Sequence, residues 1–182
     1  MRKIYLITGI LFIALLWIGC GENQNSSAKE LREAEQAITD EYLDALRDSI
    51  PNLEAQESGI YYIEYEAGEG DSIEDGDEVE VYYYGMMCDS LIFDANIYGD
   101  VEGGDVPDFE NVIYYDPFSF TVGAGEVISG WDLAALNMKE GGVAQWIIPE
   151  SLGYGAYPTS SYIRSYATLV FFVKIYKVHP SE

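Results

Sequence analysis

The chain has 182 residues, 48% of them hydrophobic, enough apolar material for one ordinary domain with appendages and too little for two independent cores. Its 32 Asp and Glu against 9 Lys and Arg give a formal net charge of −23, which repels phosphate backbones and so argues against nucleic acid as a partner. Aromatics make up 14% of the chain and 16 of them are Tyr, a residue that favours strands and presents an apolar body with a polar tip.

Met1-Arg2-Lys3 places two positive charges ahead of an apolar run that stops at Gly19-Cys20, followed by polar residues. This is the layout of a secretory signal peptide over residues 1–19, although an uncleaved anchor would share it. Ile18-Gly19-Cys20 resembles a bacterial lipobox, with Trp17 where Leu is usual. The resemblance implies acylation of Cys20, with several acyl chains giving stable anchoring to an outer or inner membrane of a bacterial cell envelope. The rest of the chain would then face the periplasm or the cell surface. The alternative is that Cys20 is a plain signal-peptide residue. An acylated Cys20 leaves Cys88 without a disulfide partner, as a free, partly buried thiol.

Over residues 28–50 the apolar positions Leu31, Ala34, Ile38, Tyr42, Ala45 and Leu46 keep helical spacing, with Ser27 as N-cap and Pro51 as stop. Such a helix packs on its own domain or spaces it from a membrane; a dimerising role is the other reading. Residues 20–58 thus form a lipidated N-terminus, linker and amphipathic helix. After Gly59 the period becomes two, with Tyr61, Ile63 and Tyr65 on one face of a strand. Asp75-Gly76-Asp77 makes a turn, and Val79, Val81 and Tyr83 alternate with Glu80, Tyr82 and Tyr84 in a second strand. Further strands fall at 118–122, 143–148 and 168–178. One helix, over 127–138, puts Val127, Trp131, Ala135 and Met138 on one face and ends at Gly141-Gly142. One short helix laid on an antiparallel sheet is an α+β plan.

Three early segments, 76–85, Ile92-Phe93-Asp94 and Phe118-Ser119-Phe120, resemble the opening strands of an FKBP-type peptidyl-prolyl cis/trans isomerase domain. Val127-Ile128-Ser129-Gly130-Trp131, Met138-Lys139-Glu140-Gly141-Gly142, residues 148–155 and Ala167-Thr168-Leu169-Val170-Phe171 follow in the family's order and spacing. The similarity spans 59–178, leaving 179–182 as a tail. It implies a curved antiparallel sheet wrapped around one short helix, and an activity without cofactor or metal toward proline-containing polypeptides, such as exported proteins during folding. Oligomeric state is not readable. The resemblance equally admits a weakly active or inactive binding module for an envelope assembly such as motility machinery.

By the same resemblance Trp131 forms a pocket floor, with Tyr83, Phe93, Phe120, Val127, Ile128 and Phe171 around it, Phe118 at the rim, and Ile163 as a substrate-binding candidate in the loop that overhangs the pocket. Ile128 would offer its backbone N–H and Tyr154 its hydroxyl to substrate, while Asp94 would orient Tyr83. Asp94 also reads as a plain surface carboxylate, and Phe120, Phe171 and Trp131 as ordinary core residues. Two stretches depart from the family pattern. Residues 96–117 form a long acidic insertion expected to be disordered or solvated. Arg164-Ser165 stands where many relatives have two prolines, so the loop around Ile163 is expected to be looser. His179 reads as a tail residue unable to join a metal site or a triad.

Overall fold

The computed structural model describes residues 22–99 and 106–181. The expected leader and Cys20 lie outside the described residues. The elements run α1 (Glu22–Ser49), β1 (Tyr61–Glu66), β2 (Glu78–Met87), β3 (Ile92–Ala95), β4 (Ile97–Tyr98), β5 (Ile113–Tyr114) and β6 (Phe118–Thr121). Then come α2 (Ser129–Ala135), β7 (Val143–Ile148), a 3₁₀ turn at Glu150–Leu152 and β8 (Leu169–His179). This is the expected α+β plan, an antiparallel sheet ordered β1-β7-β8-β2-β3, with β6 pairing the start of β2. β2 and β8 pair from Glu78↔His179 to Met87↔Leu169 and form the spine. His179 is therefore the last residue of a strand and not part of a tail, its ring 2.8 Å from Glu80 Oε1.

Alternation along the central strands feeds two apolar layers. Val79, Val81, Ala144, Trp146, Ile148, Phe171, Val173 and Ile175 face α2. Tyr84, Met86, Val143, Ile147, Val170 and Phe172 face the opposite way, covered by α1 together with Ile97, Phe109 and Val112 of the insertion. β2 is thus covered on both faces, so Tyr84 is 2% exposed although it alternates with the inward-facing Val79, Val81 and Tyr83. Tyr can line a wet or a dry face, and its alternation does not say which.

α1 differs from expectation at its start and along its face. Ser27 lies within the helix and does not cap it, while the end at Ser49 agrees with Pro51, whose ring disfavours helix in the residue before it. Leu31, Ala34 and Ala45 are exposed, and the buried line is Glu35, Thr39 and Leu43, flanked by Ile38, Tyr42 and Leu46. The N-terminal half docks through polar side chains, which apolar periodicity does not register. Gln145, 1% exposed on β7, seals the join by donating to Tyr42 Oη (2.6 Å) and accepting from Tyr65 Oη (2.7 Å).

α2 is shorter than expected. Asn137 and Met138 wind on as tighter turns, their N–H groups bonding to Ala134 O and Ala135 O, so Met138 stays buried outside the helix. Gly141, at φ +85°, turns the chain toward β7 instead of capping α2. The insertion also departs from the solvated loop expected, since β4 pairs with β5 and buries Ile97 and Phe109 on the outer face of the sheet. Asn96 anchors its base: Oδ1 accepts from Tyr83 N (2.7 Å) and Nδ2 donates to Val81 O (3.0 Å).

Candidate active site

A cavity of about 340 Å³ opens beside α2, lined by Tyr83, Phe93, Asp94, Phe118, Glu126, Val127, Ile128, Trp131, Tyr154 and Phe171. Trp131, in the first turn of α2, is 4% exposed. Its ring meets Tyr83 at 5.1 Å and 83° and Phe171 at 5.1 Å and 88°, edge-to-face contacts that suit the aromatic quadrupoles. Phe120 and Trp146 close the other side, each 5.5 Å away. With rings on so many sides, the indole has little freedom to tilt.

Two glycines allow this approach. A Cβ on Gly130 would stand 2.4 Å from Ile148 Cγ2, so only glycine lets the first turn of α2 settle on β7. A Cβ on Gly85 would lie 2.9 Å from Phe171 Cε1 and 3.0 Å from Phe93, the two rings that form one wall.

The polar groups sit at the edge of the cavity. Tyr83 Oη donates to Asp94 Oδ2 at 2.7 Å, as the resemblance implied. Burial pushes the Tyr83 phenol above its ordinary value, and the hydrogen bond and charge of Asp94 push it further, so it stays a protonated donor. Tyr154 is raised in the same direction, first by burial and then by Asp94. Ile128 precedes α2 with extended ψ of 144°, and its carbonyl accepts from Trp131 N at 2.9 Å. Glu126 Oε2 accepts from Thr121 N at 2.9 Å, which fixes the link between β6 and α2.

Of the expected site residues, Tyr83, Phe93, Asp94, Phe118, Val127, Ile128, Trp131, Tyr154 and Phe171 come together around the cavity. Phe120 and Ile163 do not line it. They are 1% and 7% exposed and belong to the core, Phe120 stacked on Phe118 and edge-on to Trp131. Glu126 was missed, though it immediately precedes Val127-Ile128. Cys88 is 8% exposed and burial pushes its thiol up to about 12, leaving it a poor nucleophile. The loop around Ile163 is tied, contrary to the loosening expected: Arg164 pairs with Glu35 of α1 and with Asp89 after β2. An ionic tie here takes the place of proline stiffness.

The whole is a small antiparallel sheet clasping one short helix, with a mostly aromatic cavity at the helix N-terminus and Asp94, Glu126 and Tyr154 among its lining. The FKBP-type peptidyl-prolyl cis-trans isomerase family model matches residues 70–176, and the chain belongs to that family. An FK506-binding protein of Neisseria meningitidis serogroup B is 31% identical over 121 residues, 66% of this chain and 97% of that one. FK506-binding protein 4 of Rhizopus delemar is 36% identical over 118 residues, 65% of this chain, but the chain spans only 27% of that longer protein. Among solved structures, FkpA from Escherichia coli has TM-score 0.61 and 25% identity, covering 88% of this chain and 68% of that one.

Proposed function

We propose that the domain catalyses cis/trans isomerisation of Xaa-Pro bonds in the cavity floored by Trp131. The peptide C–N bond resists rotation by roughly 18–20 kcal/mol because of its partial double-bond character. Xaa-Pro bonds populate both isomers and exchange over about 10–100 s without help. No covalent bond has to break, so the catalyst needs to bind the twisted amide better than either planar form. The twisted amide has lost conjugation, its nitrogen is more pyramidal and its carbonyl is less polar. An apolar enclosure that strips water from that carbonyl favours this state.

In this reading the proline ring sits on Trp131 between Tyr83, Phe93, Val127 and Phe171. Ile128 N–H and the Tyr154 hydroxyl hold substrate carbonyls, and Asp94 keeps Tyr83 upright. Phe118, 40% exposed, flanks the entrance. Phe120 and Ile163 back the wall from the core. The observation that carries the reading is the open cavity walled by six aromatic side chains together with Ile128 and Asp94. We assign the isomerase domain to residues 60–179, with α1 packed on it, and exported polypeptides as clients of a protein held at the envelope through Cys20.

The test is isomerisation of a short Xaa-Pro peptide followed by NMR exchange or a protease-coupled assay. Acceleration that saturates with peptide is expected. Identical rates with and without the protein would sink the proposal, and peptide binding without acceleration would favour a binding module instead.

A further inference from the structure

Resting on that assignment of the cavity, we infer that α1 is a working part of the site: Glu35 and Arg164 are positioning residues that hold the loop bearing Tyr154 in its productive place. Tyr154 is the one lining residue of the cavity carried by the loop between β7 and β8. That loop lacks a regular ladder and is held by a few turn bonds. Gly155 N–H donates to Glu150 O at 3.1 Å, and Tyr166 N–H donates back to Gly155 O at 2.7 Å. Tyr166 does so at φ +66°, a conformation side chains rarely adopt and one that needs support from its surroundings.

The support comes from one turn of α1. Arg164 reaches both Glu35 oxygens, Nε to Oε1 and Nη2 to Oε2 at 3.2 Å, while Nη1 meets Asp89 Oδ2 at 2.7 Å. The Glu35 side chain is 11% exposed and that of Arg164 34%, so this forked pair is sheltered where a surface pair would be screened. Three residues earlier on the same helical face, Arg32 lies 4.5 Å over the Tyr166 ring and its Nε meets Glu150 Oε1 at 2.8 Å. α1 therefore grips the loop on both sides of Tyr154, at Glu150 and at Arg164–Tyr166. Where prolines are absent, this grip sets the loop's geometry.

A double-mutant cycle in the full chain separates positioning from general stability. Arg164→Met is expected to lower kcat/KM on an Xaa-Pro peptide by about fivefold, and by less than about twofold once Tyr154→Ala has removed the group it positions. Equal losses in the two backgrounds would overturn the inference, since a purely structural role acts whether or not Tyr154 is present. Amide hydrogen exchange supplies a second arm that does not depend on turnover. In Arg164→Met the Gly155 and Tyr166 amides should exchange about tenfold faster while those of β7 and β8 hold their protection. Unchanged protection in the loop overturns the inference even if the wild type is inactive; an inactive wild type by itself overturns only the isomerase assignment. Should Arg164→Met fail to fold, Glu35→Gln, which keeps the side-chain shape, replaces it in both arms.

Discussion

Gly85 on β2 and Phe171 on β8 are register partners, and a methyl group at Gly85 would stand 2.9 Å from Phe171 Cε1. The missing Cβ is what lets Phe171 and Phe93 meet edge-on above the strand with centroids 5.5 Å apart. One wall of the cavity is thus made by the absence of a side chain as much as by the presence of two rings.

Gly85→Ala tests that relationship. Both rings must tilt into the cavity or lift off the sheet, so overpacking should cost about 1–3 kcal/mol of stability. The kcat/KM for an Xaa-Pro peptide should fall by about tenfold, because the displaced wall no longer fits a twisted amide. Denaturant unfolding and peptide kinetics on one sample check both figures. Full activity would mean that Phe171 has slack that its neighbours do not show.

Trp131→Leu probes the floor. Leu keeps the site apolar but loses the edges that meet Tyr83, Phe118 and Phe171. A stability loss of about 2–3 kcal/mol follows from the volume removed. Turnover should fall by at least about tenfold. A variant that folds and turns over like wild type would show that the proline ring binds elsewhere.

What was legible in the chain beforehand follows from how local each signal is. The alternation Val79-Val81-Tyr83 lies within one strand and reads directly, as does the place of Trp131 on the single short helix after β6. Whether Phe120 lines the cavity or backs it depends on which side of the indole it stands, a matter of a few ångströms set by three elements meeting. Arg164 was misjudged for a similar reason. Its partner Glu35 lies 129 residues away on a helix whose apolar stripe pointed to another face. Long-range polar docking leaves no periodic trace, and the short β4–β5 pair, two residues a side, leaves hardly more.

Charge at the cavity mouth should select among substrates. Asp94 and Glu126 are the carboxylates in the lining, and among the described residues no Lys or Arg lines it. They sit on a chain of net charge −23. Peptides with Lys beside the Xaa-Pro bond should therefore show kcat/KM about three- to tenfold above Glu analogues at low salt, converging as ionic strength screens the field. Glu126→Gln should narrow the gap while leaving an uncharged peptide nearly unaffected. A gap that ignores salt would have to come from side-chain contacts instead of the field.

Asp77 gives the fold an acid limit. Its carboxylate accepts from Ser181 N at 2.8 Å and Glu74 N at 2.9 Å, tying the end of the chain to the turn before β2. These backbone bonds hold its carboxyl below the ordinary value of 3.8. A depressed folded-state pKa means that the unfolded chain takes up the proton first. The stabilisation is therefore complete above the unfolded value near 4 and is lost as pH falls through the folded one. Asp77→Asn should be less stable than wild type by about 1 kcal/mol at pH 7, since an amide accepts more weakly and has one oxygen for two donors. The two proteins should converge as the pH falls below 4. Urea midpoints measured at pH 7, 5 and 3 read this out, and a difference that does not shrink with acid would show that the loss is steric and not carried by the charge.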